Sequence, residues 1–390
     1  MSHLSSFPER LLFGDNALED VKGVLKEFKS KKVLIITDKG LVKAGVLDNV
    51  LSKLNSEGLE FYVFDETNPE PTISNFQEAL EQNRNKDIDL IIGLGGGSAI
   101  DLGKAVALFL KHDAEFLDFV GINKVPSKGL PTIMISTTSG TGSEVSKFAV
   151  LTDEETHLKS VIASPNIVPT VSVVDPVLTQ SLPPHITANT GIDALVHCIE
   201  GYLAVRNSNL SNELALVGLE KIWNNLQKAY ENGDDKEARY EMALGSMLGG
   251  LVLNTTDGAG MVHGLAFSLG VYCSLPHGLS NSLVLPYTLD YLTPYAVESL
   301  DVLASKINVS GSNKEERVEN FINDIFKLQN NLNIPTTLKE MDIDKKLIPT
   351  LAESSNKQER LQTNSPKRLN EEEIKQIFTN AFEGKVSFNE

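Results

Sequence analysis

IIGLGGGSAIDLGKAVALFL, residues 91–110, decides the fold. Its first residues form a short apolar run, the glycines a tight turn, and the remainder a helical pattern opening at Ser98. Strand, glycine turn and helix in that order form the repeating unit of a parallel sheet covered on both faces.

Working outward, the same alternation holds from Lys31 to about Asp175. KKVLIIT (31–37), LEFYVF (59–64), LPTIMIS (130–136) and TVSVVD (170–175) read as further buried strands. LVKAGVLDNVLSKL (41–54) and ISNFQEALEQNR (73–84) read as the helices between them. DPVLTQSLPP (175–184) then supplies Pro176, Pro183 and Pro184 as breakers, and beyond it the patterns are helical only. They include ITANTGIDALVHCIEGYLA (186–204), LSNELALVGLEKIWNNLQKAY (210–230) and ARYEMALGSMLGGLVL (238–253). The expected architecture is an α/β domain with a parallel sheet over 1–180 and an all-helical domain over 181–390, consistent with a chain too long for one core.

Composition narrows the function. A formal charge of −17 weighs against binding a phosphate backbone, which needs clustered Lys and Arg. Two cysteines, Cys198 and Cys273, make no disulfide framework and no CxxC, so a reducing cytoplasm is expected. MSHLSSFPERLLF has no basic start followed by a long apolar core, and no run of about 18 apolar residues occurs. Neither export nor membrane insertion is expected.

Three polar features fall where a parallel sheet binds ligands, at the carboxyl ends of strands. Gly95, Gly96 and Gly97 would let a pyrophosphate approach the backbone, with Ser98 at the helix start; an unliganded tight turn is the alternative. Ser98 stands where the last glycine of GxGxxG would be, and no GxxxxGK[ST] is present. Thr137, Thr138, Ser139, Thr141 and Ser143 follow the strand LPTIMIS and read either as ligand-binding hydroxyls or as helix caps. Asp38, directly after KKVLIIT, could accept hydrogen bonds from an adenosine ribose and would repel a 2'-phosphate, which favours NAD over NADP.

The second half holds a different cluster. Asp193 and His197 lie four positions apart in GIDALVHCIEG (191–201), so both project from one helix face. His263 sits in the helical GAGMVHGLAFSLG (258–270), and His277 follows Pro276 at an expected helix start. Each histidine alone reads as a hydrogen-bonded core residue. Together, three imidazoles and a carboxylate suit Fe(II), Zn(II) or Mn(II) and not Ca(II).

The ordered set GGGSAID, ISTTSGTGSEV, NTGIDALVHCIEGYLA, MVHGLAFSLG and LPHGLSNSLVLP resembles the iron-containing, or group III, alcohol dehydrogenase family. The resemblance runs end to end, through RLQTNSPKRLNEEEIKQIFTNAF. It implies a dinucleotide-binding α/β domain and a helical metal-binding domain with the site in the cleft between them. It also implies a homodimer and hydride transfer between NAD(H) and a small alcohol or aldehyde (or ketone). The family's metal ligands fall on Asp193, His197, His263 and His277, with Fe(II) the expected ion and Zn(II) or Mn(II) the alternatives. Its cofactor contacts fall on Asp38, Gly96, Gly97, Ser98, Thr137, Thr138, Thr141 and Lys159, with Leu178 near the adenosine.

Two positions depart from the family. Phe267 stands where many members carry a second histidine, which removes a proton relay and makes the substrate pocket more apolar. Phe148 replaces a polar residue found in some members, so no cofactor contact is assigned there. The competing readings are a polyol dehydrogenase, a dehydroquinate synthase-like lyase, and a nucleotide-binding assembly protein without catalysis. The first two expect a more polar pocket than MVHGLAFSLG offers, and the third expects damaged ligands.

Overall fold

The computed structural model describes residues 5–55 and 58–389. His3, in the stretch read against an export signal, lies outside them. The described chain divides into two compact units, Ser5–Ser181 and the residues from Leu182 onward.

Among the described residues the first unit carries nine strands: β1 Arg10–Phe13, β2 Lys32–Ile36, β3 Glu60–Phe64, β4 Leu90–Gly95, β5 Gly121–Ile122, β6 Thr132–Ser136, β7 Phe148–Asp153, β8 Leu158–Ala163 and β9 Val171–Val174. Its helices are α1 Val21–Phe28, α2 Lys39–Lys43, α3 Val46–Leu54, α4 Ile73–Asn83 and α5 Gly97–Phe109. Six strands form one sheet in the order β1-β9-β6-β4-β2-β3, all neighbours parallel. Period-two alternation sends its side chains into two cores. Leu34, Ile36 and Ile91 join Phe76, Leu102 and Phe109 on one face. Val33, Ile35, Leu90, Ile92 and Ile133 join Val21, Leu25 and Leu54 on the other.

Strand order reverses at β2. The chain steps from β2 outward to β3, then returns to place β4 on the opposite side of β2. Connections therefore leave the carboxyl ends of β2 and β4 in opposite directions, opening a crevice between them.

Several elements lack a sequence signature. β1 is four half-exposed residues at the sheet edge, too short to read as a buried run. A second sheet, β5-β8-β7, pairs β7 and β8 antiparallel, and most of β8 is only partly buried. The helix expected over 41–54 is two, because Gly45 turns the chain with a φ of 72°.

Among the described residues no strand follows β9. The second unit is built from α6 Pro184–Leu203, α7 Asn209–Glu231, α8 Lys236–Thr256, α9 Met261–Cys273, α10 His277–Lys306, α11 Lys314–Asn331, α12 Ile348–Asn356, α13 Glu359–Asn364 and α14 Glu371–Glu383. α6 begins at Pro184, where the missing N–H costs nothing. α10 starts at His277 and breaks its helical geometry at Ala296, two residues after Pro294. Small residues let these helices approach closely. A Cβ on Gly278 would stand 2.0 Å from the carbonyl oxygen of Asn189, which holds the start of α10 against α6. No helix among the described residues is long and apolar enough to cross a membrane.

Candidate active site

In the α/β unit, Asp38 follows β2 and the Gly95–Ser98 turn follows β4, so they flank the sheet's reversal point. Asp38 caps α2, its Oδ1 accepting from Gly40 N at 2.7 Å and Leu41 N at 3.1 Å. A Cβ on Gly95 would lie 3.8 Å from the other oxygen, Oδ2, which faces the glycine turn. β6 pairs with β4, and Thr137 N donates to Gly95 O at 3.0 Å, so the turn and the threonine loop emerge side by side. Their packing is close. A Cβ on Gly96 would lie 3.4 Å from Thr138, and one on Gly97 only 2.6 Å from Thr141 Cγ2.

Ser98 and Lys159 are tied into the protein through neighbouring residues. Ser98 Oγ donates to Pro69 O, while Lys159 Nζ pairs with Glu70 and donates to Thr152 Oγ1 at 2.9 Å. Leu178 lies in the apolar cluster that holds Leu94 and Ile135, at the carboxyl ends of β4 and β6. A buried polar group, absent from the sequence reading, secures the loop. Lys104 Nζ, fully enclosed, donates to Ser143 Oγ at 2.7 Å, Ser146 Oγ at 3.2 Å and Phe148 O at 2.7 Å. Asp101 Oδ2 accepts from Val150 N at 3.0 Å. α5 thereby anchors both ends of the stretch from Ser143 to Val150. Glu144, in the same loop, is buried with one oxygen lacking a hydrogen-bond partner, and desolvation pushes its carboxyl up to about 7.

The helical unit brings the second cluster together. α6 presents Asp193 and His197 one turn apart, α9 presents His263, and α10 opens with His277. Asp193, His263 and His277 each offer a donor atom within 4.8 Å of the others. Asp193 Oδ1 lies 3.4 Å from His277 Nε2, 3.5 Å from His263 Nε2 and 3.8 Å from His197 Nε2. His263 Nε2 and His197 Nε2 are 3.0 Å apart. With bonds of about 2.1 Å, the donors of a tetrahedral metal centre stand about 3.4 Å apart, so this spacing fits. The donor chemistry fits as well. One proton satisfies two facing ring nitrogens, whereas a divalent cation would satisfy Asp193, His263 and His277 together, with His197 Nε2 3.0 Å from His263 Nε2 beside them.

The electrostatics agree. Burial works against charge on Asp193, His197 and His263, yet the imidazoles, His197 foremost, hold Asp193 below the usual carboxylate range. Burial is outweighed at His263 by hydrogen bonds to Asp193 and Glu200, which raise its pKa, but dominates at His197, which falls. The carboxylates of Asp193 and Glu200 thus draw positive charge to His263, a role that a bound cation would take over from the proton.

Three neighbours shape this centre. Phe267, one turn along α9, has its ring 5.6 Å from that of His277 and 6.3 Å from that of His263, forming an apolar wall. Glu200 and Asn281 escaped the sequence reading. Glu200 Oε2 lies 2.6 Å from His263 Nδ1, and Asn281 Nδ2 donates to Asp193 Oδ1 at 2.7 Å. Their signal was positional: Glu200 completes an i, i+4, i+7 stripe with Asp193 and His197, and Asn281 lies one turn after His277.

Comparison with known proteins shows the family. Residues 8–176 match the family model described as iron-containing alcohol dehydrogenase, and residues 187–382 match that of the family's C-terminal region. The long-chain-alcohol dehydrogenase 1 of Geobacillus thermodenitrificans is 38% identical, over 97% of this chain and 97% of that protein. Alcohol dehydrogenase 4 of Saccharomyces cerevisiae is 34% identical, over 98% of this chain and all of the yeast protein (100%). A crystal structure of 1,3-propanediol oxidoreductase superposes with a TM-score of 0.93 at 32% identity, covering 98% of this chain and 100% of that one. The chain belongs to the iron-containing alcohol dehydrogenase family and is a metal-dependent, nicotinamide-linked alcohol oxidoreductase.

Proposed function

We propose that this enzyme interconverts unbranched primary alcohols or diols with their aldehydes, using NAD rather than NADP, with Fe(II) held by Asp193, His197, His263 and His277. The observation that carries the reading is the convergence of those four buried or half-buried side chains from three helices at metal-ligand spacing. When bound, the metal supplies a Lewis acid for the substrate oxygen, and the nicotinamide supplies or takes up the hydride.

The protein's own residues bind, orient and exclude. Gly96 and Gly97, packed on Thr138 and Thr141, offer bare backbone to a pyrophosphate at the start of α5. Thr137 and Leu178 complete that site, with Ser98 and Lys159 held beside it through Pro69 and Glu70. Asp38 spends one oxygen on α2 and keeps Oδ2 for a ribose hydroxyl, which is the support for NAD. Phe267 brings no titratable group to His263 and His277, so the substrate proton leaves through solvent, and the wall favours an alkyl chain. The relatives' names span long-chain alcohols and 1,3-propanediol, so chain length needs direct measurement. A homodimer and a cytoplasmic setting belong to the same proposal, supported by the family resemblance and by two unpaired cysteines.

Elemental analysis of protein purified without oxygen should find about one divalent metal per chain, with activity lost to chelator and restored best by Fe(II). NADH formation on a ladder of linear alcohols and 1,3-propanediol then reads the substrate. His263→Ala should lose metal and turnover while retaining nucleotide binding; a variant keeping both would overturn the ligand assignment. Asp38→Gly should shift the NADP-to-NAD preference by about 10-fold or more.

A further inference from the structure

We propose that Glu200 is a positioning residue that fixes the tautomer and ring orientation of His263. The inference rests on the metal-site reading above and concerns a residue that touches neither substrate nor cofactor. Glu200 is 5% exposed on α6, on the same face as Asp193 and His197. Its two oxygens hold different partners. Oε1 accepts from Val262 N at 2.5 Å, an N–H in the first turn of α9 that has no partner within that helix. Oε2 meets His263 Nδ1 at 2.6 Å. A carboxylate oxygen accepts, so with a metal bound Nδ1 would donate to Oε2 and leave Nε2, which faces Asp193 and His197, for the metal.

One carboxylate thus grips both the start of α9 and the imidazole one residue further on. Gly260 makes the grip possible, since a Cβ there would lie 3.0 Å from Glu200 Oε1. His197 contrasts with His263: its Nδ1 is buried and has no hydrogen-bond partner. Of these two facing rings, only His263 is held from behind.

Glutamine is the informative substitution because a carboxamide has one acceptor where the carboxylate has two. Glu200→Gln can serve Val262 N–H or His263 Nδ1–H but not both. The experiment uses the full-length protein stripped of metal and titrated with Zn(II) against a competing chelator. Thermal unfolding of the metal-free form and histidine-selective 15N spectra of the zinc form accompany it. Glu200→Gln should weaken zinc binding by about 10- to 100-fold, with metal-free unfolding lowered only by the one buried hydrogen bond it gives up. The wild-type spectrum should show His263, identified by its loss in His263→Gln, protonated at Nδ1. Wild-type affinity in Glu200→Gln, or a wild-type His263 protonated at Nε2, would overturn the positioning role and leave the metal site intact. Wild-type protein that binds no zinc, iron or manganese would overturn both. Gly260→Ala, which presses on Oε1 without touching the carboxylate's charge, should weaken zinc binding in the same direction. The wild-type spectrum decides the matter even if the variants fold poorly.

Discussion

At the scale of single residues, burial decides what a side chain does here. Glu144 is enclosed in the loop after β6, so its native carboxyl titrates at about 7 against an ordinary value of 4.5. The native state holds that proton through a window in which the unfolded chain has released it. Stability therefore falls as pH rises from about 4.5 to about 7, by about 3 kcal/mol from this group. Glu144→Gln should flatten that part of the stability profile, leaving the variant more stable than wild type at pH 8 in urea unfolding. An unchanged profile would mean that the carboxylate is solvated. Phe267 poses the opposite test, since it lies beside two proposed ligands and cannot titrate. Phe267→His should add an ionisation to the pH dependence of kcat, and an unaltered profile would remove this position from any account of proton movement. The resemblance to the family singled out Phe267, at the position where many members carry a second histidine. The sequence was silent on Glu144, because SEV reads as an ordinary solvated turn until β6 and α5 close over it.

At the scale of elements, the proposed metal site depends on three helices meeting at a fixed distance. α6 carries Asp193, His197 and Glu200, α9 carries His263, and α10 carries His277 and Asn281. The contact of α6 with α10 is backbone against glycine, at Asn189 and Gly278. Gly278→Ala should push the first turn of α10 off α6, costing about 3 kcal/mol in unfolding free energy. It should also lower zinc affinity, because His277 is the adjacent residue. Retained affinity alongside lost stability would show that His277 contributes little to binding. In the α/β unit the comparable element is the turn from β4 into α5. Gly97 has its neighbour Thr141 inside the volume of a Cβ, so Gly97→Ala should raise the KM for NAD while leaving metal content unchanged. A KM equal to wild type would remove the threonine loop from the nucleotide site.

At the scale of the molecule, the two units should respond to different ligands. A divalent metal at about 100 times its dissociation constant should stabilise its binding unit by about 2.7 kcal/mol. Hydrogen exchange should then slow in α6, α9 and the start of α10, whereas NADH should slow the turns after β2, β4 and β6. Protection of the strands by metal would overturn the placement of the site. The sequence alone determined the α/β and helical halves, the principal strands of the sheet and the four candidate ligands. These are local signals, since strand and helix periods, glycine turns and proline breaks act over a few residues. It left β1, β5, β7 and β8 unread: β1 is a short, partly exposed edge strand, β5 is two residues long, and most of β8 is only partly buried. Only the tertiary structure brought His263 to within 3.0 Å of His197 across 66 residues of chain, and set Glu200 behind one ring and Asn281 beside the carboxylate. Distances of that kind follow from how closely helices can approach, which depends on side-chain volume at crossings such as Gly278 against Asn189, far apart in the chain.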